Sequence, residues 1–394
     1  MRKISLKKVM IVLVLLILLA YILARLFVPN MVDKRFNKTI NLPPYQVSDE
    51  ATKVYQSLEF ISDLHSDVLL WDRNIIDRHS HGHEDIPRML EANIGLQAFT
   101  IVNKVPKGLN FDKNDDQSDQ ITLPFIVQGR PISSWFDLTQ RVVVQSESLH
   151  RFANESGGKL RVIKSKQDLI QYIKDRTKDK NITAGFLGIE GAQALQGKME
   201  NLDIVYKAGV RMIGLTHFFD NEVGGSAHGV KKGGITEFGK NLITKMEEKN
   251  IFVDLSHASP KLIDDVLAIA TKPMLISHTG VKGTCNNVRN LSDEHLIKIA
   301  KLGSVVGIAM FEQAICGTQS KDIAKAIKYT ADLIGAKYVG LGSDFDGAIA
   351  AVFDVTGFPQ IVDELLKLGM SKQDIELVMG ENIKRVLLSH LPDE

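Results

Sequence analysis

The sequence predicts an α/β protein: a (β/α)₈ barrel of the metal-dependent hydrolase type, preceded by a transmembrane helix. Three observations predict it. First, short apolar or β-branched runs repeatedly close on a histidine or a carboxylate. They are Phe60-Ile-Ser-Asp-Leu-His65-Ser-Asp67, Gly185-Phe-Leu-Gly-Ile-Glu190, Ile213-Gly-Leu-Thr-His217, Ile251-Phe-Val-Asp-Leu-Ser-His257, Met274-Leu-Ile-Ser-His278 and Val339-Gly-Leu-Gly-Ser-Asp344-Phe-Asp346. Polar residues at the C-terminal ends of strands that alternate with helices are how such a barrel builds its active site. Second, these runs are apolar on both faces, as a parallel sheet covered on both sides requires. Third, Val9 to Leu23 is an unbroken apolar run.

That run opens the chain. Arg2, Lys3, Lys7 and Lys8 precede it, and Leu26-Phe27-Val28 extend it past Arg25. About twenty helical residues span roughly 30 Å of hydrocarbon, and an arginine near the end can snorkel to the interface. The expectation is an uncleaved anchor over residues 1–30 with the barrel outside the cytoplasm, periplasmic or at the cell surface. A cleaved signal peptide competes, but the run is long for one and no Ala-x-Ala site follows. Lys34, Arg35 and Lys38 weaken the charge bias that sets orientation. The anchor is expected to carry no chemistry that the barrel needs.

Residues 31–58 read as a juxtamembrane linker and lead-in helix, stiffened by Leu42-Pro-Pro-Tyr. The barrel occupies 59–394, with strands expected at 60–65, 94–102, 183–190, 210–217, 251–257, 273–278, 304–311 and 338–344. Helices are expected near 137–156, 166–176, 201–208, 235–249, 259–270, 292–302, 320–335 and 359–369. Ser259-Pro260 and Ser292-Asp-Glu are N-cap signatures. Residues 103–136 read as a loop insertion over the mouth, and helices at 371–378 and 380–390 as a cap on the barrel. With 44% hydrophobic and 24% charged residues and a net charge of +1, the chain is an ordinary globular protein. Nothing in it suggests disorder or a nucleic-acid partner.

The chemistry lies at the strand ends. His65 and Asp67 are two apart in an extended run, so both project from one face. Glu190 ends an apolar run between Gly188 and Gly191, where a carboxylate needs a partner. His257 and His278 end consecutive strands, and Ser256 and Ser277 precede them identically. Five such ligands serve two cations when one carboxylate bridges, and two cations about 3.5–4 Å apart activate a shared hydroxide. Imidazole and carboxylate without thiolate suit Zn²⁺ first, then Mn²⁺ or Co²⁺. His79, His81 and His83 read as part of a solvated polar loop, and His150, His295 and His390 as helix residues with no role beyond packing or solvent. Cys285 and Cys316, the two cysteines, follow strands six and seven, and are either disulfide-bonded or free buried thiols.

With these motifs in order, the chain from about residue 58 to 390 resembles the membrane dipeptidase (renal dipeptidase) family of zinc peptidases, in a bacterial-type form. The resemblance implies two Zn²⁺ ions, one on His65 and Asp67, the other on His257 and His278, with Glu190 bridging. It implies that His217 donates to the developing oxyanion, that Arg289 binds the dipeptide's C-terminal carboxylate, and that Asp344 rather than Asp346 shuttles the proton. It favours a Cys285–Cys316 disulfide and a homodimer. The implied activity is hydrolysis of dipeptides with a free C-terminal carboxylate, with tolerance of a D-residue there. Departures from the mammalian pattern are Gly-Ala-Gln after Glu190 and the segment Phe218 to His228. They leave the metal residues in place and bear on substrate preference. The alternatives are another amidohydrolase-type activity on the same centre (a deacylase, lactonase or β-lactam hydrolase) and a membrane-tethered binding protein without catalysis. Arg289 separates the first, because a neutral lactone gives it no partner.

Overall fold

The protein is described here by a computed structural model covering residues 6–394, so Arg2 and Lys3 of the basic N-terminal cluster lie outside the described residues. Eight parallel strands form the barrel: β1 (Ile61–Ser66), β2 (Ile94–Val102), β3 (Thr183–Glu190), β4 (Val210–Gly214), β5 (Phe252–Asp254), β6 (Leu275–Thr279), β7 (Val305–Ile308) and β8 (Val339–Leu341). Their ladder runs β5-β4-β3-β2-β1-β8-β7-β6, and the short strand Leu160–Val162 adds to β3. Every residue in these eight strands is buried, which is why the sequence shows continuous apolar runs and not alternation.

The ladder stops between β5 and β6, and side chains close that seam. Asp254 Oδ1 accepts from Ser277 N at 2.9 Å, Asp254 Oδ2 accepts from Ser277 Oγ at 2.6 Å, and Ser256 Oγ accepts from His278 N at 3.1 Å. The two Ser-His pairs noted in the sequence are therefore also the barrel's clasp.

The expected helices form with ends within a residue or two, and their caps explain the agreement. Ser259 accepts from Leu262 N with Pro260 in the first turn, and Ser292 accepts from His295 N. A short helix, Ile86–Glu91, precedes β2 and was not anticipated; six residues with an Asp85 cap give too little periodicity to read. The insertion at 103–136 holds one helical turn and a half, Thr122–Val127, followed by a 3₁₀ turn at Ile132–Ser134. At the C-terminus, Lys372–Glu376 and Asn382–His390 flank a π-helical stretch, Leu377–Glu381. A Cβ on Gly380 would come within 2.1 Å of Phe60 O, so only glycine lets this stretch sit against the start of β1. Ile383, Val386 and Leu387 of the last helix pack into a cluster with Leu64 and Leu96.

The N-terminal helix, α1 (Leu6–Phe36), is the one described helix long and apolar enough to cross a membrane. It runs past the expected limit at residue 30, through Pro29, before giving way to a two-residue pairing of Lys38–Thr39 with Ala350–Ala351. Its last turn is tied to the barrel. Asp33 is buried and accepts from Arg73 Nε and Nη2 at 2.9 Å each, while Arg73 Nη2 also donates to Asp346 Oδ1 at 2.8 Å. Buried charges need partners of this kind, and here the run of paired charges leads from α1 to the loop after β8.

Candidate active site at the mouth of the barrel

The strand ends converge as the sequence arrangement requires. His65 is the penultimate residue of β1 and Asp67 follows its end; Glu190 is the last residue of β3; His278 lies within β6. His217, His257 and Asp344 stand a few residues past β4, β5 and β8. His257 and Asp344 both adopt left-handed backbone, with φ of 63° and 64°. For residues other than glycine this costs about 1 kcal/mol or more, and such residues cluster where a side chain must be aimed against local preference.

Glu190 is the hub. Its Oε1 lies 3.1 Å from His257 Nε2, 3.5 Å from His278 Nε2 and 3.7 Å from His65 Nε2; its Oε2 lies 3.1 Å from His217 Nε2. His65 Nε2 is also 3.4 Å from Asp67 Oδ1 and 3.8 Å from Asp344 Oδ1, and the Nε2 atoms of His257 and His278 are 3.0 Å apart. Seven residues thus group into overlapping sets of three, each able to hold a cation: His65, Glu190 and His278; Glu190, His217 and His257; His65, Asp67 and Asp344. Ligand atoms around a tetrahedral zinc, with bonds of about 2.0–2.1 Å, stand roughly 3.3 Å apart. The observed separations bracket that edge.

Charge points the same way. Burial holds the imidazoles of His217, His257 and His278 well below their usual pKa, so they are neutral and carry a free lone pair. Burial, with Asp67 beside it, pushes Glu190 well above the usual carboxylate range; burial lifts Asp344 to about 7. His65 resists its own burial because Asp67, Glu190 and Asp344 surround it, and these carry it up to about 10. Three carboxylates packed together without solvent call for positive charge among them. His65 Nε2, pointing into that group, has no hydrogen-bond partner. The residues fit divalent metal.

One hydroxyl orients two of the imidazoles. Ser277 Oγ donates to Asp254 Oδ2 and lies 3.0 Å from His65 Nδ1 and 2.9 Å from His278 Nδ1. With its proton on Asp254, Ser277 accepts from both Nδ1–H groups, which turns both Nε2 edges toward Glu190. Thr100 Oγ1 donates to Asp67 Oδ1 at 2.6 Å, fixing that carboxylate too. Asp254 and Thr100 escaped the sequence reading. Asp254 stood inside the quoted Asp-Leu-Ser-His motif, two residues before Ser256, and that spacing was the available signal.

Arg289 is buried in the same cavity, donating from Nη2 to His278 O at 2.6 Å and leaving Nε without a partner. Asp346 is turned away and spent on Arg73 and on His83 N, which leaves Asp344 as the loop's carboxylate at the site. His83 differs from expectation. It is fully buried, accepting from Asp346 N at 2.8 Å and pairing through Nε2 with Lys38 O. A polar neighbourhood in sequence was no guide to exposure, because its partners, Lys38 and Asp346, lie 45 and 263 positions away. Cys285 and Cys316 are joined as a disulfide, with Cα atoms 5.3 Å apart.

The cavity lined by Asp67, Glu190, His217, His257, Arg289 and Asp344 measures about 510 Å³. Its outer wall includes Val28, Pro29, Val32 and Phe36 of α1.

A family model for membrane dipeptidases (peptidase family M19) matches residues 48–390. The chain belongs to that family. It is a metallo-dipeptidase, a hydrolase acting on peptide bonds. Its curated relatives include Dipeptidase aclJ of Aspergillus oryzae, 27% identical over 83% of this chain and 77% of that protein. Another is Dipeptidase tcpJ of Claviceps purpurea, 27% identical over 78% and 69%. Among solved structures, a metallopeptidase from Rhodobacter sphaeroides, liganded with a phosphinate mimic of the dipeptide L-Ala-D-Ala, superimposes with a TM-score of 0.68 at 22% identity. That match covers 84% of this dipeptidase and 99% of the other chain. The probable dipeptidase PvdM of Pseudomonas aeruginosa gives a TM-score of 0.71 at 17% identity, over 87% and 97%. At these identities the structural matches speak to the barrel fold alone.

Proposed function

We propose that this dipeptidase uses two Zn²⁺ ions to hydrolyse dipeptides with a free C-terminal carboxylate, and that it accepts a D-residue at that position. The observation that carries the reading is the gathering of six buried ligand-type residues around Glu190, at the floor of a cavity that Asp67, His217, His257, Asp344 and Arg289 also line. His65 and Asp67 would hold one ion and His257 and His278 the other, with Glu190 shared between them. Bound there, the ions would supply Lewis acidity and lower the pKa of the attacking water. The remaining groups divide the substrate. Arg289, its Nε unpaired, offers charge-assisted donors to the carboxylate. His217, neutral and 3.1 Å from Glu190, donates to the oxygen that gains charge at the scissile carbon. Asp344 receives a proton and returns it to the leaving amine.

In the same reading α1 is an uncleaved anchor and the barrel lies outside the cytoplasm; the Cys285–Cys316 disulfide supports an oxidising compartment. The deciding experiment is hydrolysis of L,L-, L,D- and D,L-dipeptides by the purified full-length enzyme with and without added Zn²⁺, together with metal counting. Turnover of a D-residue at the C-terminal position and two zinc ions per chain are expected. A fully active protein holding a single ion would overturn the dinuclear part, and inertness toward every dipeptide would overturn the whole.

A further inference from the structure

We infer that the C-terminal turns of α1 form a substrate subsite that takes a bulky aliphatic or aromatic side chain of the dipeptide; this rests on the dipeptidase reading above and specifies its substrates. The catalytic cavity extends outward from Glu190 and Arg289 between Val28 and Val32 of α1 on one side and Leu109, Leu123 and Val127 of the insertion on the other. Val32 packs against a small cluster that includes Trp71, Val105 and Phe125, so the wall is continuous with buried structure. A polar group entering between these walls loses water without gaining a partner, whereas an apolar side chain gains from each Å² it takes out of water. At about 510 Å³ the cavity falls among those that enclose ligands of drug size, roughly 300–1,000 Å³, well beyond what a dipeptide of glycine or alanine fills.

The helix is held in this position by specific bonds and not by loose apolar contact. Asp33 is locked to Arg73, which is locked in turn to Asp346, two residues after Asp344. Tyr21 Oη donates to Ile126 O at 3.1 Å and Arg25 donates to Gln128 O, fixing α1 to the insertion that forms the opposite wall. The pairing of Lys38 with Ala350 fixes its exit beside the loop after β8. Val28, Pro29 and Val32 are half-buried, while the apolar residues before them are mostly exposed. The helix therefore has a lipid-type portion and a site portion, and the second begins near residue 28.

The test uses the full-length chain in lipid nanodiscs, titrated with phosphinic isosteres of Leu-Leu and Ala-Ala, alongside kcat and KM for the two dipeptides. The wild type should bind the Leu-Leu isostere more tightly. Val28→Asp and Val32→Asp should weaken it on the order of ten- to a hundred-fold, carried in KM, with the Ala-Ala isostere changed by no more than about twofold. Val32→Ala should act in the same direction with a smaller size, and carries the test if the aspartate variants fail to fold by circular dichroism. Equal losses on both isosteres, or an unchanged preference in all variants, would overturn the subsite. A wild type that binds both isosteres equally overturns the subsite while leaving the dipeptidase reading intact; one that binds neither overturns both.

Discussion

Replacing Ser277 by alanine removes one hydroxyl and strands three groups: Asp254 Oδ2, His65 Nδ1 and His278 Nδ1 have no other side-chain partner. Outer-shell partners of metal ligands typically contribute ten- to a hundred-fold in metal affinity or activity. Ser277→Ala should therefore lose metal to a chelator at roughly ten- to a hundred-fold lower concentration, read by elemental analysis after dialysis. Retention equal to wild type would show that the ligands hold their orientation unaided. Arg289→Ala addresses the other end of the substrate. A charge-assisted contact contributes about 1.5–3 kcal/mol, so dipeptide kcat/KM should fall roughly ten- to a hundred-fold. A substrate without the carboxylate should be spared, and equal losses would remove Arg289 from that role. At this scale the sequence was legible wherever a residue's partner is the metal-type cluster itself, since His, Asp and Glu at strand ends announce their chemistry. It marked Ser277 only as a repeat of Ser256, was silent for Asp254, whose importance lies in hydrogen bonds across two strands, and was misleading for His83.

Among elements, the segment after β6 shows how a loop is made rigid. Residues 280–291 carry Arg289, and Cys285 within them is bonded to Cys316 beyond β7. Asn287 Nδ2 donates to Gln313 O at 2.7 Å and Asn290 Nδ2 to Ala314 O at 2.8 Å, fastening the same two segments again. A crosslink across a 31-residue separation contributes a few kcal/mol by restricting the unfolded chain. Alkylation without reductant should thus label neither cysteine. Cys285→Ser/Cys316→Ser should lower the melting temperature while preserving kcat, because the asparagine ties remain. Loss of kcat comparable to Arg289→Ala would mean that the disulfide alone positions the loop. Strands and capped helices were legible because burial on both faces and N-cap chemistry leave local marks. The insertion at 103–136 was legible only as an insertion: its bonds to α1 and to the cavity are long-range, and its apolar residues look no different from those of any surface loop.

For the molecule as a whole, α1 is the feature whose sequence and structure diverge most. An unbroken apolar run reads as a span because length and composition suffice for that, and they say nothing of where the helix ends or what it touches. The single mark was Asp33, an acid where the apolar stretch gives out. If α1 is both anchor and wall, two truncations should separate those parts. Removing residues 1–20 should release an enzyme that no longer pellets with membranes yet keeps its preference for bulky dipeptides. Removing residues 1–37 also deletes Asp33, leaves Arg73 donors unmade at a cost on the order of 1–3 kcal/mol, and should lower both melting temperature and that preference. Identical behaviour of the two would confine α1 to tethering. A full-length preparation whose mature N-terminus begins after residue 20 would establish cleavage instead.

The side-chain clasp between β5 and β6 bears on how the enzyme comes apart. Every other junction in the ring is a backbone ladder, whereas this one depends on Asp254, Ser256 and Ser277, and Ser277 also grips two imidazoles of the metal-type cluster. Stripping the metal would leave those imidazoles and carboxylates free to repel and reorient, and the strain would fall on the one junction without a ladder. Amide hydrogen exchange should then report breathing of the barrel at a single place. On chelation, Phe252–Asp254 and Leu275–Thr279 should exchange sooner than β1, β2 and β3, and restoring the metal should reseal them. Uniform acceleration around all eight strands would mean that the ring opens as a unit. If the seam alone opens, metal supply governs the lifetime of the folded barrel as well as its activity, and apoenzyme would be nicked by proteases beside β5 and β6 first.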